Sequence, residues 1–433
     1  MEPIYAEESA RHAQPLPLIP TPDRYAAIRS ATESLCAPLS AEDAALQSMP
    51  DASPAKWHLA HTSWFFETFV LGPAVPGYRA PCAAYHHLFN SYYQSVGTPF
   101  LRPRRGLLSR PSFDEVVAYR RHVDAGMTDL LATPDIALRS GLLAVIELGL
   151  QHEQQHQELL LTDVKHLFFQ NPLRPSYRVG AQTPGAAAVP EQSWREHPGG
   201  IARIGYDGPG FSFDNERPRH RRLLEPFALA SRLVTNGEWM AFMADGGYER
   251  PEFWLSDGFD TARAGGWCAP LYWERGDGGW QLFTLSGMQR VCPEAPVCHV
   301  SAYEADAFAR WAGARLPGED EWEILAAGVA VEGNFVERGL LHPTSAGGEG
   351  DALRQLFGDV WEWTRSPYGP YPGYQPPAGA LGEYNGKFMA NQSVLRGGSC
   401  ATAQAHLRAS YRNFFPPSAR WQFSGVRLAR DLR

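Results

Sequence analysis

His152-Glu-Gln-Gln-His156 sets two imidazoles at i and i+4, on one face of a helix and near enough to share a metal. Both fall on a stripe read as inward-facing, Val145, Leu148, His152, Gln155 or His156, Leu159, Asp163 and Leu167, within a periodic segment from Ala137 to Gln170. Unpaired imidazoles are costly to bury there, and metal ligation explains that cost. A third ligand must come from another helix. In Trp57-His-Leu-Ala-His-Thr-Ser-Trp64, His61 shares a face with Trp57, Trp64 and Phe65, so it is read as the ligand. His58 lies at the edge of that face and is read as a supporting or structural residue. His86-His87 sits in loop-like sequence and is the weaker candidate.

Three neutral imidazoles without a carboxylate leave three open positions on an octahedral iron, while zinc with a water satisfies the same ligands. The five letters also match H-E-x-x-H, in which Glu153 would be the general base of a zinc hydrolase or transferase. No H-x-x-G-x-x-H extension follows, and a helical bundle is a poor peptidase cleft. That chemistry is the alternative.

The elements that hold these residues change character along the chain. Thr21 before Pro22 predicts a capped helix start, and Ser112-Phe-Asp-Glu115 a capping box opening a helix to about Ala132. A further helix is expected over Lys56–Val70. With Ala137–Gln170 these make a four-helix bundle. Residues 172–200, rich in Pro, Gly and Ala and without a period, read as a linker. From 201 to 433 short β-rich runs, many Gly and Trp and one convincing helix, Ser301–Ala312, suggest an irregular α+β domain. The fold class is thus α plus α+β, with domains 1–171 and 201–433.

Composition narrows the classes. Hydrophobic residues make up 44% and charged residues 20%, which suits a globular chain with ample core. Thirteen Trp against 7 Met favour rigid aromatic pockets. Thirty-nine Lys and Arg against 47 Asp and Glu give −8, so neither nucleic acid nor a membrane surface is an expected partner. The basic stretches at Arg102–Arg105 and Arg217–Arg222 suit a local anion site better. No run approaches the roughly 20 apolar residues of a membrane span, and the acidic start lacks a secretory h-region. The 6 cysteines form no C-x-x-C pair and read as reduced thiols in a cytoplasm.

Ser53-Pro-Ala-Lys-Trp-His-Leu-Ala-His-Thr-Ser-Trp-Phe-Phe-Glu67, with His152–His156, resembles the DinB-like domain of ergothioneine-biosynthesis sulfoxide synthases. Asp214-Asn-Glu-Arg-Pro218, Val234-Thr-Asn-Gly-Glu238, Arg315–Glu323, Gly358-Asp-Val-Trp-Glu-Trp-Thr364 and Arg396-Gly-Gly-Ser399 resemble the formylglycine-generating, or sulfatase-modifying-factor, domain of C-type-lectin-like fold. The catalytic cysteine pair of a true formylglycine-generating enzyme is not matched: only Cys400 follows Arg396-Gly-Gly-Ser399. The second domain is therefore expected to lend its pocket to the bundle's metal. A methyltransferase segment is not expected after Arg433, which favours the ergothioneine branch over the ovothiol one.

The resemblance implies a non-haem Fe(II) enzyme that uses O₂ to join cysteine or γ-glutamylcysteine to the imidazole carbon of hercynine as a sulfoxide. Forming C–S from C–H and S–H removes two electrons and sulfur oxidation removes two more, which matches the four that O₂ accepts. No nicotinamide or flavin fingerprint is needed, and no G-x-G-x-x-G occurs. The resemblance implies that Gln155 orients the hercynine ring and that Tyr92 and Tyr93 supply a phenolic proton. In other branches a second-domain tyrosine does so, which makes Tyr368, Tyr371 and Tyr374 rivals. Asn413, Phe414 and Phe415 would receive the trimethylammonium group. Some relatives carry Asp where Phe415 stands, so its absence leans the thiol towards free cysteine. Arg102 and Arg105 are candidates for a carboxylate clamp.

Overall fold

The computed structural model describes residues 20–178, 188–348 and 352–432. The acidic start and residues 179–187 of the expected linker lie outside these.

Four long helices build the first half. Helix α1 (Pro22–Cys36) starts where Thr21 Oγ1 accepts from the Arg24 amide at 3.2 Å, with Pro22 at the first helical position. Helix α2 (Ala55–Phe66) is buried along its whole length. Helix α3 (Phe113–Leu131) opens on the reciprocal Ser112–Glu115 capping box. Helix α4 (Ser140–Gln170) runs 31 residues, starting three residues later than expected because Ile136–Leu138 forms a separate 3₁₀ turn.

The expected helix to Val70 is corrected as well. After Phe66 the chain widens into a π-turn, Glu67–Leu71. The Glu67 carboxylate in that turn accepts from Tyr78 at 2.8 Å and from Tyr119 at 2.7 Å.

The stripe on α4 also needs correction. Val145, Leu148, Gln155, Leu159 and Leu167 are only half-buried, whereas Ile146, Leu150, Glu153, Leu160, Leu161 and Val164 are fully buried. Of that stripe His152, His156 and Asp163 do meet α2 inside the bundle, whereas Val145, Leu148, Gln155 and Leu159 face the second half, which covers α4 from the other side. A helix with partners on both sides has no single apolar face for a periodicity argument to find.

Among the described residues four short helices belong to the second half: α5 (Asn236–Ala244), α6 (Ser256–Ala264), α7 (Ala302–Trp311) and α8 (Glu319–Ala326). Only α7 was expected. The others run 8 or 9 residues, too short for a periodic pattern, although Thr235 and Glu238 form a capping box at α5.

The sheet nearest the bundle comprises β1 (Trp361–Pro367), β2 (Ser393–Arg396), β3 (Asn413–Phe415) and β4 (Ser424–Gly425), in the order β3-β2-β1-β4. Its antiparallel register sets Asn413 opposite Leu395 and Glu362 opposite Arg396. The second half begins inside the segment read as linker: Trp194–His197 pairs with Phe227–Ala230. Three arginines of the basic run Arg217–Arg222 are engaged within the protein. Arg219 pairs with Asp207, Arg222 with Asp320, and Arg217 donates to Ser212.

The halves interlock along α4. Glu158 accepts from Trp361 Nε1 at 2.7 Å, Ser399 Oγ at 2.6 Å and Thr402 Oγ1 at 2.8 Å, all from the second half. Lower down, Lys165 Nζ lies 2.6 Å from His299 Nε2. All six cysteines are unpaired. No described helix is long and apolar enough to cross a membrane.

Candidate active site

Helices α2 and α4 approach closely at Gly149, where a Cβ would meet the Phe66 ring at 2.6 Å and the Phe65 ring at 2.9 Å. One turn further along α4, this contact brings His61 beside His152 and His156. One ligand nitrogen from each of the three lies within 4.8 Å of the others, and all three residues are buried.

His61 Nδ1 donates to the Phe89 carbonyl at 2.6 Å, which leaves Nε2 with its lone pair and no protein partner. Both nitrogens of His152 are buried without a partner. Burial pushes His152 down to about 3 and holds His61 and His156 well below the ordinary imidazole value. Buried, neutral imidazoles with converging lone pairs fit a divalent transition metal and leave much of its sphere open.

His58 does not join the cluster as a ligand. Its Nδ1 lies 2.8 Å from His156 Nδ1, and its Nε2 lies 3.0 Å from Asp163 Oδ2. Asp163 Oδ2 also accepts from the Ser53 amide at 2.8 Å. With Asp163 as terminal acceptor, His58 carries its proton on Nε2 and accepts from His156 Nδ1–H. That arrangement turns His156 Nε2 towards the other two rings.

Glu153 points elsewhere. It accepts from Arg29 at 2.8 Å, Arg120 at 2.6 Å and Thr32 at 2.7 Å, in a cluster with no exposed part. Burial penalises its charge, but Arg120 and Arg29 outweigh that and hold it down to about 2. A carboxylate so engaged, away from the imidazoles, is not the free general base that a zinc-hydrolase reading of the motif needs.

A cavity of about 390 Å³ lies over His152 and His156, between α4 and the second half. Its walls include Gln155, Tyr92, Arg102, Arg105, Asn413, Phe414 and Phe415. The Arg105 guanidinium is buried, stacked 3.3 Å above the Trp57 ring centroid, and donates to Ser53 Oγ at 2.9 Å and Ser91 Oγ at 3.2 Å. No carboxylate is among these partners, so this cation can still receive an anion. Arg102 is exposed at the rim.

Of the tyrosine pair, Tyr92 reaches the cavity wall, while Tyr93 is fully buried behind it against Trp64 and Phe69. Their rings are 4.6 Å apart. Burial pushes both phenols up, which keeps their protons in place at neutral pH. The rivals are not on the cavity wall. Tyr368 meets Asn215, Tyr371 bonds Glu319 and Arg396, and Tyr374 bonds Asp214. Phe414 stacks on Tyr368 at 4.0 Å, which stiffens the aromatic side of the cavity. The His86-His87 pair stays apart: His87 Nδ1 bonds the Thr98 carbonyl at 2.7 Å.

Two cavity tyrosines escaped the sequence. Tyr384 donates to Gln155 Oε1, and its ring centroid lies 5.7 Å from that of His152. Tyr411 accepts from Gln155 Nε2 at 2.7 Å. The pair therefore hold the Gln155 amide from both ends. Tyr411 adjoined the Asn413–Phe415 stretch already singled out, whereas nothing around Tyr384 marks it. Asn215, also in the wall, has a buried Oδ1 without a partner.

The model of the sulfatase-modifying factor enzyme 1-like domain matches residues 188–347 and 348–432, and that of the DinB superfamily matches residues 24–160. Over 419 residues the chain is 34% identical to hercynine oxygenase of Mycolicibacterium smegmatis, covering 88% of this chain and 92% of that protein. Hercynine oxygenase of Mycobacterium tuberculosis is 33% identical over 414 residues, with the same coverage of 88% and 92%. That of Mycolicibacterium thermoresistibile is 34% identical over 412 residues, covering 88% of each chain.

Proposed function

The chain belongs to the hercynine oxygenase family, oxygenases of ergothioneine biosynthesis, and from that premise we propose that it is an Fe(II)-dependent sulfoxide synthase. It uses O₂ to join cysteine to the imidazole carbon of hercynine, in the cytoplasm. The observation that carries the reading is the buried three-imidazole cluster with no carboxylate among its ligands, opening on a cavity with a cationic and an aromatic side. His61, His152 and His156 would hold the metal, which when bound lowers the pKa of a coordinated thiol and activates O₂ beside it.

The chain's own residues do the rest. Phe89 and His58 aim the ligand nitrogens. Gln155, held by Tyr384 and Tyr411, presents its amide to the hercynine imidazole and orients the ring carbon, an effect of positioning. Asn413, Phe414 and Phe415 take the trimethylammonium end, with π faces towards the cation. Arg105 and Arg102 take the carboxylate of the thiol substrate. Tyr92, backed by Tyr93, holds a phenolic proton at its Oη as general acid. Phe415 stands where some relatives carry an Asp suited to the amine of γ-glutamylcysteine, which supports free cysteine as the thiol.

The test is anaerobic reconstitution with iron, then O₂, hercynine and the two thiols in competition. Iron-dependent O₂ uptake and a sulfoxide carrying the cysteine mass are expected. Activity with zinc alone, without O₂ consumption, overturns the proposal.

A further inference from the structure

Glu147, Gln151 and Gln155 stand one turn apart on α4, and residues of the second half join them into one hydrogen-bonded chain. Glu147 is paired with Arg24 and accepts from Gln151 Nε2 at 2.7 Å. Gln151 Oε1 lies 2.6 Å from His406 Nδ1, and His406 Nε2 lies 2.9 Å from Tyr411 Oη. Tyr411 meets Gln155 Nε2 at 2.7 Å, and Gln155 Oε1 meets Tyr384 Oη.

The direction of every link follows from one end. An ionised carboxylate only accepts, so Gln151 must turn its NH₂ to Glu147 and its oxygen to His406. His406 must then carry its proton on Nδ1. Its ring is buried, and its contacts are an amide and a phenol, with no acid to stabilise a second proton. Nε2 is therefore an acceptor and Tyr411 donates to it. The Tyr411 oxygen is left to accept from Gln155, which directs the Gln155 oxygen to Tyr384. Tyr384 spends its only hydrogen there and turns lone pairs to the cavity.

We propose that Glu147 is a positioning residue for the reaction: through Gln151, His406 and Tyr411 its carboxylate sets which way the Gln155 amide faces and makes Tyr384 an acceptor towards the cavity. The inference rests on the function proposed above for its kinetic consequence, but not for the polarity itself. Replacing the carboxylate by an amide removes the constraint. Gln at 147 keeps its oxygen for Arg24 Nη1 and turns its NH₂ to Gln151, giving up the Arg24 Nη2 contact at that position, and each link reverses. His406 then carries its proton on Nε2, Gln155 offers NH₂ to Tyr384, and Tyr384 is freed to donate.

The test is the tautomer of His406 in full-length protein labelled with ¹⁵N-histidine and kept free of paramagnetic metal, the resonance identified by its loss in His406→Gln. The parent and Glu147→Asp are expected to carry the proton on Nδ1, and Glu147→Gln on Nε2. With iron restored, Glu147→Gln should raise KM for hercynine roughly tenfold or more, the cost of one mismatched buried donor, while KM for the thiol stays. A proton on Nε2 in the parent overturns the polarity argument, even if Glu147→Gln does not fold. An unchanged tautomer in Glu147→Gln also overturns it. A switched tautomer with unchanged hercynine KM overturns the positioning role. Failure of the assigned reaction shows instead as no sulfoxide from the parent.

Discussion

Replacing Glu153 by Gln separates the two roles this residue could have inside His152–His156. Its carboxylate is fully buried and shared between Arg29 and Arg120, with Thr32 completing the set. Burial alone would raise its pKa, but the two arginines outweigh it and the net fall from 4.5 to about 2, at about 1.4 kcal/mol per unit, favours the ionised form in the folded state by about 3 kcal/mol. Breaking a buried pair from one side costs about 3–5 kcal/mol. The lower figure applies, because Arg29 keeps Asp124 and Arg120 keeps Glu33. At about 2–4 °C per kcal/mol the bundle should melt roughly 10 °C lower.

The folded carboxyl has the lower pKa, so its stabilisation is complete above about pH 4.5 and is lost as pH falls towards 2. Stability of the parent should therefore decline across that window, and Glu153→Gln should lack that decline. The assay is denaturant unfolding of both proteins from pH 2 to 7, with metal content and turnover measured in the cold, where the variant is folded. Parental stability in Glu153→Gln together with normal metal content and abolished turnover would refute the reasoning and make Glu153 a reacting base.

Other residues give sharper chemical readouts. His61→Ala, His152→Ala and His156→Ala should each lose iron on dialysis, whereas His58→Ala should keep it with about 10–100-fold weaker affinity in a chelator competition. The reverse pattern for His58 and His61 exchanges their roles. Arg105→Met should raise KM for cysteine roughly 10–100-fold, the value of a charge-assisted bond, and leave KM for hercynine alone; a change confined to hercynine places the thiol elsewhere. Tyr92→Phe should divert product from sulfoxide to cysteine sulfinate by about 10²–10⁴, while Tyr368→Phe keeps the parental ratio. A shift in Tyr368→Phe alone moves the proton donor to the second half.

The three-imidazole cluster was legible in sequence because its signals are local. Two His at i and i+4 share a helix face whatever packs on it. His61 beside Trp57 and Trp64 and the caps at Thr21 and Ser112 are likewise short-range patterns, whereas the Tyr92–Tyr93 and Asn413–Phe415 stretches stood out only by resemblance to a family. What Glu153 does was not legible, since its letters in H-E-x-x-H are compatible with a base or an ion pair. Only the positions of Arg29 and Arg120, on other helices, decide between them.

The same limit applies to the direction of α4. Its spacing identified a polar-studded stripe and assigned all of it to the bundle core, where only His152, His156 and Asp163 belong, because periodicity reports that a face is special and not which neighbour covers it. The second half supplies that neighbour, and with it Tyr384, Tyr411 and His406, more than 200 residues away along the chain. Whether Gln155 turns its oxygen to Tyr384 or to Tyr411 is settled by the chain of hydrogen bonds that ends at Glu147. Residue types and spacing determined which groups this protein has available for chemistry. Tertiary packing decided their partners and hence their direction, because a buried polar group must match every neighbour it meets, and those neighbours come from distant segments.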